Sequence, residues 1–468
     1  MELTLDWLLD KRVHLLGIGG IGVSGVARLL AARGVAVSGC DVRESSIIDA
    51  LRSEGIDVAI GHRPEHVDQS DVLVYSTAVP GVNPELAYAR EKGHPLYHRS
   101  HLLGALSLAH LRSVGITGTN GKGTVCAMLT HILRVAGLNP SFFVGALCPN
   151  LGTNALAGSG DLFVAELDES DGSLVNIRPD FALVNNLELD HLNYYRDLDH
   201  TIETLVTFID QMPQQGVLFL NGDDQGTLAL AARLKGRSCV LFGTGENCSV
   251  RCVPVAVSDA GTDFSVTLAR PNGPQDLGIF RLNVPGLYNL ENAAGALAVA
   301  LHLGVDPAAA KEALASFKGL LNRYTLVEAA GRKLVKDYMS HPTGIRKVLQ
   351  TARVGTSGRL IAVFKPYRYT MINYHAENYA AAFANADEVV ITRMWEAGED
   401  PIPGVDTPWL ADQIAKAGVK VTYIDQMDSI TDHLLATQQP GDCAVFFGGN
   451  DMFELVDELA SRYQSLTQ

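Results

Sequence analysis

The sequence predicts an α/β protein with three domains, and three observations support this prediction. The chain has 468 residues, which corresponds to about three domains of roughly 150 residues each. Short apolar runs alternate with helical patterns, as is typical of a parallel sheet covered by helices on both faces. This alternation also starts afresh twice along the chain. We therefore expect domains over residues 1–104, 105–321 and 322–468.

The composition is that of an ordinary folded protein and excludes several classes. Apolar residues make up 47% of the chain and charged residues 19%, which argues against disorder. The net charge of −15 argues against a general nucleic-acid binder, because neutralising phosphates requires clustered Lys and Arg. There is no apolar run of about 18 residues, so we expect no membrane span. The N-terminus carries acidic residues and no clear cleavage site, so we expect a cytoplasmic protein without a signal peptide.

The seven cysteines are scattered along the chain. We expect them to be reduced structural thiols, because the predicted compartment is reducing. The closest pair, Cys248 and Cys252, has neither a second pair nor a nearby His to complete a zinc site.

The first domain is predicted to be Rossmann-like. Its strand-like runs are RVHLLGIG, VAVSGCD, GIDVAIGH and DVLVYSTAV, and GVSGVARLLAARG is a predicted helix that ends at Gly34. A glycine-rich loop lies between the first strand and this helix, and Asp41 ends the second strand. This spacing is that of a dinucleotide fingerprint, although the diphosphate of another nucleotide or a tight turn without a ligand also fits. The loop glycines are Gly17, Gly19, Gly20 and Gly22.

The strand–helix pattern starts again with the short apolar run VGIT, followed by a second glycine-rich loop and the helical run VCAMLTHILRVAGL. LFVAELD and DFALVNNL are further predicted strands of this central domain. The segment from about Gly236 to Val284 is rich in Val, Thr and Gly and predicts an antiparallel insert. NLENAAGALAVALHLGV predicts a helix that ends at Gly304.

The second glycine-rich loop predicts a triphosphate site in a domain of the P-loop ATPase type. Glycines let backbone N–H groups approach phosphate oxygens, and the following helix N-terminus favours an anion. The loop Lys can reach the β- and γ-phosphates, and a Thr hydroxyl can join the shell of a Mg²⁺ ion. A turn without a ligand is the alternative, since Gly123 stands where the P-loop consensus has Ser or Thr. The predicted residues are Gly118, Thr119, Asn120, Gly121, Lys122, Gly123 and Thr124.

Two acidic stretches of the central domain predict a metal site. Glu166 opens the stretch ELDESD, and His191 closes the stretch NLELDH. Both stretches follow strands, and α/β sheets place their sites at the carboxyl ends of strands. Carboxylates and a neutral imidazole suit Mg²⁺ beside a triphosphate, whereas either stretch taken singly is more often a solvated loop.

Five strand-like runs with helical stretches between them predict the third domain, which we also expect to be Rossmann-like. These runs are KLVKDY, RLIAVFK, EVVITRM, KVTYI and CAVFFGG. Asn289 and Asn292 are neighbours on one face of the preceding helix, although Asn289 also suits a helix N-cap. The spacing alone leaves open the roles of four further candidates, which are Arg323, Asp337, His341 and Arg368.

These segments, in this order, resemble the Mur ligase family over nearly the whole chain. GIGGIGVSGVARLL, VYSTAV and NPELAYAR are similar to the UDP-sugar domain, GITGTNGKGT to the ATP loop, and AELDESDGS and NNLELDHL to the metal-binding segments. VPGLYNLENAAGALAVA, KDYMSHPTGI, FKPYRYT and EAGEDPIPGV continue the match. The resemblance implies an ATP-dependent, ADP-forming ligase of peptidoglycan precursor synthesis. Such an enzyme joins an amino acid, L-alanine in the most similar branch, to the carboxylate of UDP-N-acetylmuramate through an acyl phosphate.

The resemblance also implies roles for individual residues. Lys122 is expected to contact the ATP phosphates as a catalytic residue. The residues expected to hold Mg²⁺ are Thr124, Glu166 and His191. The further ATP contacts expected are Asn289, Asn292, Arg323 and Asp337. The residues expected near the incoming amino acid are His341, as the base that keeps the amine neutral, Arg368 and Tyr369. Those expected at the UDP-sugar are Gly17, Gly19, Gly20, Gly22, Asp41, Ser76 and Thr77.

Several segments depart from the family pattern. The alanine-adding branch has GTHGKTTT where this chain has GTNGKGTV, and the GKGT form resembles the folylpolyglutamate synthase branch. The family's DDYGHHPTE is KDYMSHPTG here, its GRRF is LNRY, and its QPHRYTR is KPYRYTM. A Mur-type ligase for another amino acid or another carboxylate is therefore the first alternative. A nucleotide-binding scaffold without catalysis and a nicotinamide-dependent dehydrogenase are the others, and the oligomeric state is not predicted.

Overall fold

The computed structural model describes residues 3–234 and 236–465. Within these residues the chain forms three α/β units, with sheets of five, ten and six strands. The predicted three-part α/β fold is confirmed. Each sheet is largely parallel, so the carboxyl ends of its strands meet at one edge, where sites are expected.

The first unit has a fully parallel sheet in the order β3-β2-β1-β4-β5. Four of the five residues of its central strand β1 are buried. The prediction missed the short strand β5, and all four predicted strands are present. The elements of this unit are α1 (Leu5–Leu8), β1 (Arg12–Leu16), α2 (Ile21–Ala32), β2 (Ala36–Asp41), α3 (Ser46–Ser53), β3 (Asp57–Ile60), α4 (Glu65–Asp68), β4 (Val72–Tyr75), α5 (Pro84–Lys92), β5 (Leu96–His98) and α6 (Arg99–Leu108).

The central unit has ten strands in the order β15-β14-β13-β12-β11-β10-β6-β9-β7-β8. Strand β6 lies between β9 and β10, and the loops after these three strands therefore converge. The elements are β6 (Arg112–Thr117), α7 (Lys122–Val135), β7 (Ser141–Phe143), β8 (Ala155–Leu156), β9 (Leu162–Glu166), a 3₁₀ helix (Ser173–Asn176), β10 (Phe181–Val184), α8 (Leu198–Asp210), β11 (Val217–Asn221), α9 (Gln225–Arg233), β12 (Cys239–Gly243), β13 (Val250–Ser258), β14 (Gly261–Leu268), β15 (Gln275–Leu282), α10 (Leu287–His302) and α11 (Pro307–Ser316).

The predicted antiparallel insert is shorter than its expected range. Strands β13, β14 and β15 form an antiparallel meander. Strand β12, which the prediction placed in the insert, pairs in parallel with both β11 and β13. It therefore continues the parallel sheet, and the meander extends that sheet at its edge.

The third unit has the strand order β16-β17-β21-β18-β19-β20, parallel except for the β16–β17 hairpin. The five predicted strands are present, and β16 was missed. The elements are β16 (Thr325–Ala329), β17 (Arg332–Asp337), α12 (Pro342–Val354), β18 (Leu360–Phe364), α13 (Tyr369–Tyr374), α14 (Ala376–Ala382), a 3₁₀ helix (Phe383–Asn385), β19 (Glu388–Ile391), α15 (Thr407–Lys416), β20 (Lys420–Tyr423), α16 (Asp428–Thr437), β21 (Cys443–Phe447) and α17 (Asn450–Ser465).

The first two units pack closely together. A Cβ on Gly25 of α2 would lie 2.8 Å from the Phe143 ring on β7, so only a glycine allows this approach. Asn154 completes the contact, donating from Nδ2 to the Ile21 carbonyl at 2.6 Å and accepting from Arg28. The α2 helix, which follows the first glycine-rich loop, is thereby fixed against the central sheet.

The structure bears on where the units divide. Residue 104, the expected first division, lies inside α6, whereas residue 321 lies in the connection between α11 and β16. We propose to draw the first division in the turn between α6 and β6.

Within the described residues no helix has both the length and the apolar character needed to cross a membrane. All seven cysteines are free.

Candidate active site

The second glycine-rich loop connects β6 to α7 and takes a shape that requires glycines. Gly118 has φ +128° and Gly121, which precedes α7, has φ +84°. Both values lie in the left-handed region that side chains disfavour. A Cβ on Gly118 would also lie 2.8 Å from the Asn186 carbonyl oxygen. The loop therefore lies directly against the segment that follows β10.

Two asparagines after β10 hold the loop in place. The Asn186 carbonyl accepts from the Thr119 N–H at 2.9 Å, and its Oδ1 accepts from the Asn120 N–H at 2.7 Å. Asn185 donates to the Asn120 carbonyl at 2.9 Å and to Oδ1 of Asn292 at 2.8 Å. Buried amides that satisfy one another in this way fix their backbone partners. The loop is thus preorganised by contacts that lie far away in sequence.

Lys122 lies at the first turn of α7 with its ammonium directed back over the loop. Nζ donates to the Gly118 carbonyl at 2.8 Å and to the Glu169 carboxylate at 2.8 Å. Burial alone would lower the pKa of Lys122, but Glu169 and Asp168 outweigh this effect and raise it. The side chain is therefore a fixed cation at the mouth of the phosphate loop.

Glu166 ends β9 beside the loop. Its Oε2 accepts a hydrogen bond from the Gly145 N–H at 2.5 Å, and a Cβ on Gly123 would lie 3.1 Å from the same oxygen. Burial raises the pKa of Glu166, although Lys122 counteracts this effect. A half-buried carboxylate that lines a cavity and makes no ion pair within the described residues is well suited to a divalent cation.

His191 lies on the other side of the loop, with the unusual φ of +53°. Its Nε2 is 3.5 Å from Glu169, and its N–H donates to Asp190 at 2.6 Å. Burial opposes the charged imidazole, but the hydrogen bond that His191 donates to Glu169 and the charge of Asp190 raise its pKa. His191 and Glu169 therefore face Lys122 from the segments that follow β10 and β9.

One cavity of about 590 Å³ collects most of the predicted ATP and metal residues. It lies between the central and third units. Gly118 is the exception and does not line the cavity. The predicted residues that line the cavity are Thr119, Asn120, Gly121, Lys122, Gly123, Thr124, Glu166, His191, Asn289, Asn292, Arg323, Asp337 and His341.

Asn289 and Asn292 line this cavity from α10. The helix begins at Leu287 with Gly286 as its N-cap, so the N-cap alternative for Asn289 is wrong. The glycine leaves the Asn289 side chain free to donate to the Pro285 carbonyl at 2.7 Å and to accept from Asn292 at 3.2 Å.

Asp337 and Arg323 belong to the wall that the third unit contributes. The Asp337 carboxylate accepts from the backbone N–H groups of Tyr324 and Met339, at 2.9 and 2.8 Å. Burial raises the pKa of Asp337, and the nearby Arg323 guanidinium partly offsets this. Asp337 therefore fixes the backbone next to Arg323, in the connection between α11 and β16. The Arg323 guanidinium remains available to a ligand phosphate.

His341 is the N-cap of α12 and faces the central unit. Its Nδ1 accepts from the Thr343 N–H at 3.3 Å and lies 3.4 Å from Oε2 of Glu188. The His341 ring packs edge-on against His375, with centroids 4.8 Å apart. A second pocket contains His341, His375 and Glu188 together with Arg346 and Tyr374. The cavity between the units therefore continues into this pocket.

The buried His375 should make the stability of the protein depend on pH. Burial and the neighbouring His341 lower its pKa to about 4. The unfolded chain takes up a proton near pH 6.5 and the folded chain does not, so stability falls as the pH decreases from about 6.5 to 4. When the pH is lowered from 7 to 5, the free energy of unfolding of the wild type should fall by roughly 1–2 kcal/mol more than that of His375→Gln. Denaturant unfolding at the two pH values measures this difference. Equal losses in both proteins would contradict this assignment.

Arg368 and Tyr369 do not line either cavity. Arg368 has φ +62° and pairs with Glu399 at 3.6 Å, and the Tyr369 hydroxyl donates to Glu396 at 3.1 Å. Both side chains contact the loop that follows β19. The structure thus separates them from His341, with which the sequence interpretation had grouped them.

The first glycine-rich loop precedes α2 at the carboxyl edge of the first sheet. Gly17 has φ +67°, and the Gly19 N–H donates to the Asp41 carboxylate at 2.9 Å. The other Asp41 oxygen accepts from the Val42 N–H at 2.7 Å. A Cβ on Gly22 would lie 3.4 Å from the Arg99 guanidinium. Asp41 therefore shapes the loop, and Arg99, which the sequence interpretation missed, adds a positive charge beside it.

Polar contacts connect this first site with the acidic stretch of the central unit. Ser76 and Thr77 directly follow β4, and Thr77 donates to Asp171 at 3.0 Å. Arg99 donates to Asp168 at 2.8 Å. The acidic stretch therefore extends from the phosphate loop to the edge of the first unit.

The sequence interpretation missed five site residues besides Arg99. Four of them are the loop partners Asn185 and Asn186, the Lys122 partner Glu169, and Glu188, which faces His341. All four lie in the stretches NNLELDH and ELDESD, so their position after strands was a usable signal. His375, the fifth, lies on a helical stretch, and only the folded chain brings it to His341.

Three protein-family models match consecutive parts of the chain. The Mur ligase family, catalytic domain, matches residues 12–110, the Mur ligase middle domain 116–300, and the Mur ligase, glutamate ligase domain, 322–450. Together they cover the three sheets in chain order.

Relatives and solved structures agree with these matches. The UDP-N-acetylmuramate–L-alanine ligases of Acidothermus cellulolyticus and Renibacterium salmoninarum are 39% and 38% identical to this chain. The alignments cover 97% of this chain and 96% and 97% of those proteins. The UDP-N-acetylmuramate-alanine ligase structure from Thermotoga maritima superposes with a TM-score of 0.80 at 25% identity, covering 97% of this chain and all of that one. A MurF ligase from Thermotoga maritima in complex with ADP has the same fold, with a TM-score of 0.62 at 18% identity over 98% of this chain and 99% of that one. The chain therefore belongs to the Mur ligase family of ATP-dependent, ADP-forming ligases.

Proposed function

We propose that this ligase joins L-alanine to the carboxylate of UDP-N-acetylmuramate in peptidoglycan precursor synthesis. The observation that carries the proposal is the cavity between the central and third units, where Lys122 and the phosphate loop face Arg323 and His341. Relatives of that name, aligned over nearly their whole length, support the same substrates. The use of ATP and the free thiols fit a cytoplasmic enzyme.

The proposed reaction has two steps. A carboxylate oxygen of the UDP-sugar attacks the γ-phosphorus of ATP, the bond to the β-phosphate oxygen breaks, and ADP leaves an acyl phosphate behind. The neutral amine of the amino acid then attacks the acyl carbon, and inorganic phosphate leaves with the bonding electron pair. The protein mainly positions the reactants and stabilises the charge that develops on the transferred group.

The residues predicted to hold Mg²⁺ fit that ion. Glu166 is half-buried at the cavity wall and makes no ion pair within the described residues. The Thr124 hydroxyl and His191 line the same cavity, which gives the oxygen-rich donor set that Mg²⁺ prefers, with one imidazole. A Mg²⁺ ion bound there would neutralise charge on the phosphates. The Lys122 ammonium, which is fixed at the loop, stabilises negative charge on the γ-phosphate in our proposal.

The hydrogen bonds of His341 bear on how the amine loses its proton. We assign to His341 the neutral tautomer in which Nδ1 accepts from Thr343 and the buried Nε2, which has no hydrogen-bond partner within the described residues, carries the proton and presents a donor. We therefore assign His341 to holding a substrate oxygen, in place of the expected base. The Glu188 carboxylate, 3.4 Å from His341, is the acceptor at this wall and takes the ammonium proton in our proposal.

Asp41 is expected to act on the nucleotide sugar alone. In Asp41→Ala the Gly19 N–H loses its acceptor, so the loop at α2 loses its shape. We expect the affinity for UDP-N-acetylmuramate to fall on the order of tenfold or more, because one lost buried hydrogen bond costs about 1–3 kcal/mol. Calorimetric titrations should show ATP binding nearly unchanged. Asp57→Ala, an exposed carboxylate on the neighbouring strand β3, is the matched control, and equal weakening of both ligands would contradict the assignment.

A Mur-type ligase for a different amino acid is the second candidate. The placement of Arg368 against Glu399, outside both cavities, favours it, because the resemblance assigned Arg368 to the incoming amino acid. A screen of amino acids against UDP-N-acetylmuramate with ATP and Mg²⁺ separates the candidates. We expect L-alanine to give the highest kcat/KM, with phosphate release matched by ligated product in mass spectra. A preference for another amino acid supports the second candidate, and no turnover with any amino acid contradicts both.

A further inference from the structure

A buried cluster of metal-ligand side chains lies in the first unit, away from the cavity between the units. It consists of His14 on β1, Cys40 on β2, His66 on α4 and Glu85 on α5, and we call it the His–Cys–Glu cluster. One ligand atom from each residue lies within 4.8 Å of the other three. The residues His14, Cys40 and Glu85 are at most 4% exposed, and the proposed reaction uses none of them.

The spacing of the ligand atoms is that of a small coordination shell. Glu85 Oε1 lies 3.2 Å from Cys40 Sγ and 3.0 Å from His66 Nδ1, and Glu85 Oε2 lies 3.4 Å from His14 Nε2. Bonds of about 2.0–2.3 Å to a tetrahedral zinc ion place its ligand atoms about 3.3–3.8 Å apart. Because the four ligand atoms are up to 4.8 Å apart, the side chains must move together by about 1 Å to surround a single ion.

Two atoms of the cluster lack hydrogen bonds and point at each other. His14 Nε2 and Glu85 Oε2 are both buried, and neither has a hydrogen-bond partner within the described residues. The other His14 nitrogen, Nδ1, is 2.9 Å from the Ser38 hydroxyl. Metal-binding histidines typically have one nitrogen fixed in this way, which directs the other at the metal.

The charges of the cluster would balance around a divalent cation. The ion-pair partners of Glu85 in the described chain are histidines, namely His14, His62 and His66. A carboxylate with no accessible surface is costly unless a positive charge compensates it. One divalent ion, one thiolate, one carboxylate and two neutral imidazoles sum to zero charge. The thiol proton of Cys40 leaves to solvent when the ion binds.

We propose that His14, Cys40, His66 and Glu85 form a structural zinc site. A mixed thiolate, imidazole and carboxylate set favours zinc over Mg²⁺ or Ca²⁺, which prefer oxygen ligands. The Cys40 carbonyl accepts from the N–H groups of Gly17 and Ile18, at 2.9 and 3.1 Å. An ion held there would join β1 and β2 next to the first glycine-rich loop. The proposal does not depend on the ligase reaction proposed above.

The test uses the full chain without substrates. We expect metal analysis of the purified protein, dialysed against metal-free buffer, to give about one zinc per chain. After the zinc is removed with a chelator, adding Co²⁺ alone should give a thiolate-to-cobalt charge-transfer band and the strong visible bands of tetrahedral cobalt. Cys40→Ser should lose the charge-transfer band. Cys252→Ser, which removes an equally buried thiol on β13, should keep it.

Thermal unfolding gives a second readout. Zn²⁺ should raise the Tm of the metal-free wild type and of Cys252→Ser, and should not raise that of Cys40→Ser. If Cys40→Ser does not fold, Glu85→Gln and the wild-type cobalt spectrum serve instead. A wild type without bound zinc, without a charge-transfer band and with the same Tm in Zn²⁺ or chelator overturns the proposal. The cluster is then only a network of hydrogen bonds, and that result leaves the ligase proposal untouched.

Discussion

Lys122→Ala should lower kcat for ATP-dependent ligation by a factor on the order of 10² or more, as expected for loss of a charge that stabilises the transferred phosphoryl group. In the structure the Lys122 ammonium is held over the phosphate loop by the Gly118 carbonyl and by Glu169. Steady-state phosphate release at saturating substrates measures the effect. Binding of the UDP-sugar, measured by calorimetry, should stay close to that of the wild type.

A companion variant separates charge stabilisation from folding. Lys122→Ala leaves Glu169 buried without its ammonium partner, which destabilises the chain. In the double variant Lys122→Ala/Glu169→Gln the buried charge is gone, so we expect the Tm to recover while kcat stays low. If kcat returned together with the Tm, Lys122 would have only a structural role, and the phosphate-loop assignment would be wrong.

Gly121→Ala should reduce kcat/KM for ATP on the order of 10²-fold, because displacing a positioning loop by about 1 Å has effects of that size. A Cβ at this position would lie 2.3 Å from Oδ1 of Asn292 and 2.7 Å from Nδ2 of Asn185. These two amides connect the loop to α10 and to the segment after β10, so the loop cannot keep its shape. Kinetics at varied ATP concentration measure the change.

Gly137→Ala is the matched control for Gly121→Ala. Gly137 has a similar φ of +78°, and a Cβ there meets no atom within 4 Å. Gly137→Ala therefore introduces the same backbone strain of about 1 kcal/mol without a collision of the new Cβ with other side chains. We expect a small loss of Tm and an unchanged kcat/KM for ATP. Equal kinetic losses in both variants would show that the strain, and not the contact with Asn292, causes the effect.

The sequence predicted those features whose signal is local. The strand, glycine loop, Lys122 and helix of the central unit follow one another without interruption, so the chemistry of the loop was accessible from spacing. Long buried strands such as β18 and β21 were predicted for the same reason. Asn289 and Asn292 share a helix face, and that face does line the cavity.

Features that depend on contacts between distant segments could not be predicted from the sequence. Strands β5, β7 and β8 have two or three residues each, too few for a periodic pattern. Strand β16 alternates between exposed and half-buried residues and exists because it pairs with β17 in a hairpin. The pairing of Glu169 with Lys122, and of Arg368 with Glu399, depends on how separate segments meet, which no spacing in the chain reports.

An isotope experiment tests the proposed acyl phosphate most directly. UDP-N-acetylmuramate labelled with ¹⁸O in both carboxylate oxygens is incubated with the wild-type protein, ATP, Mg²⁺ and L-alanine, and the released phosphate is analysed by mass spectrometry. In the proposed reaction the oxygen that attacks ATP leaves with the phosphoryl group, so one labelled oxygen should appear in each inorganic phosphate formed with product. Ligated product accompanied by unlabelled phosphate would contradict the account.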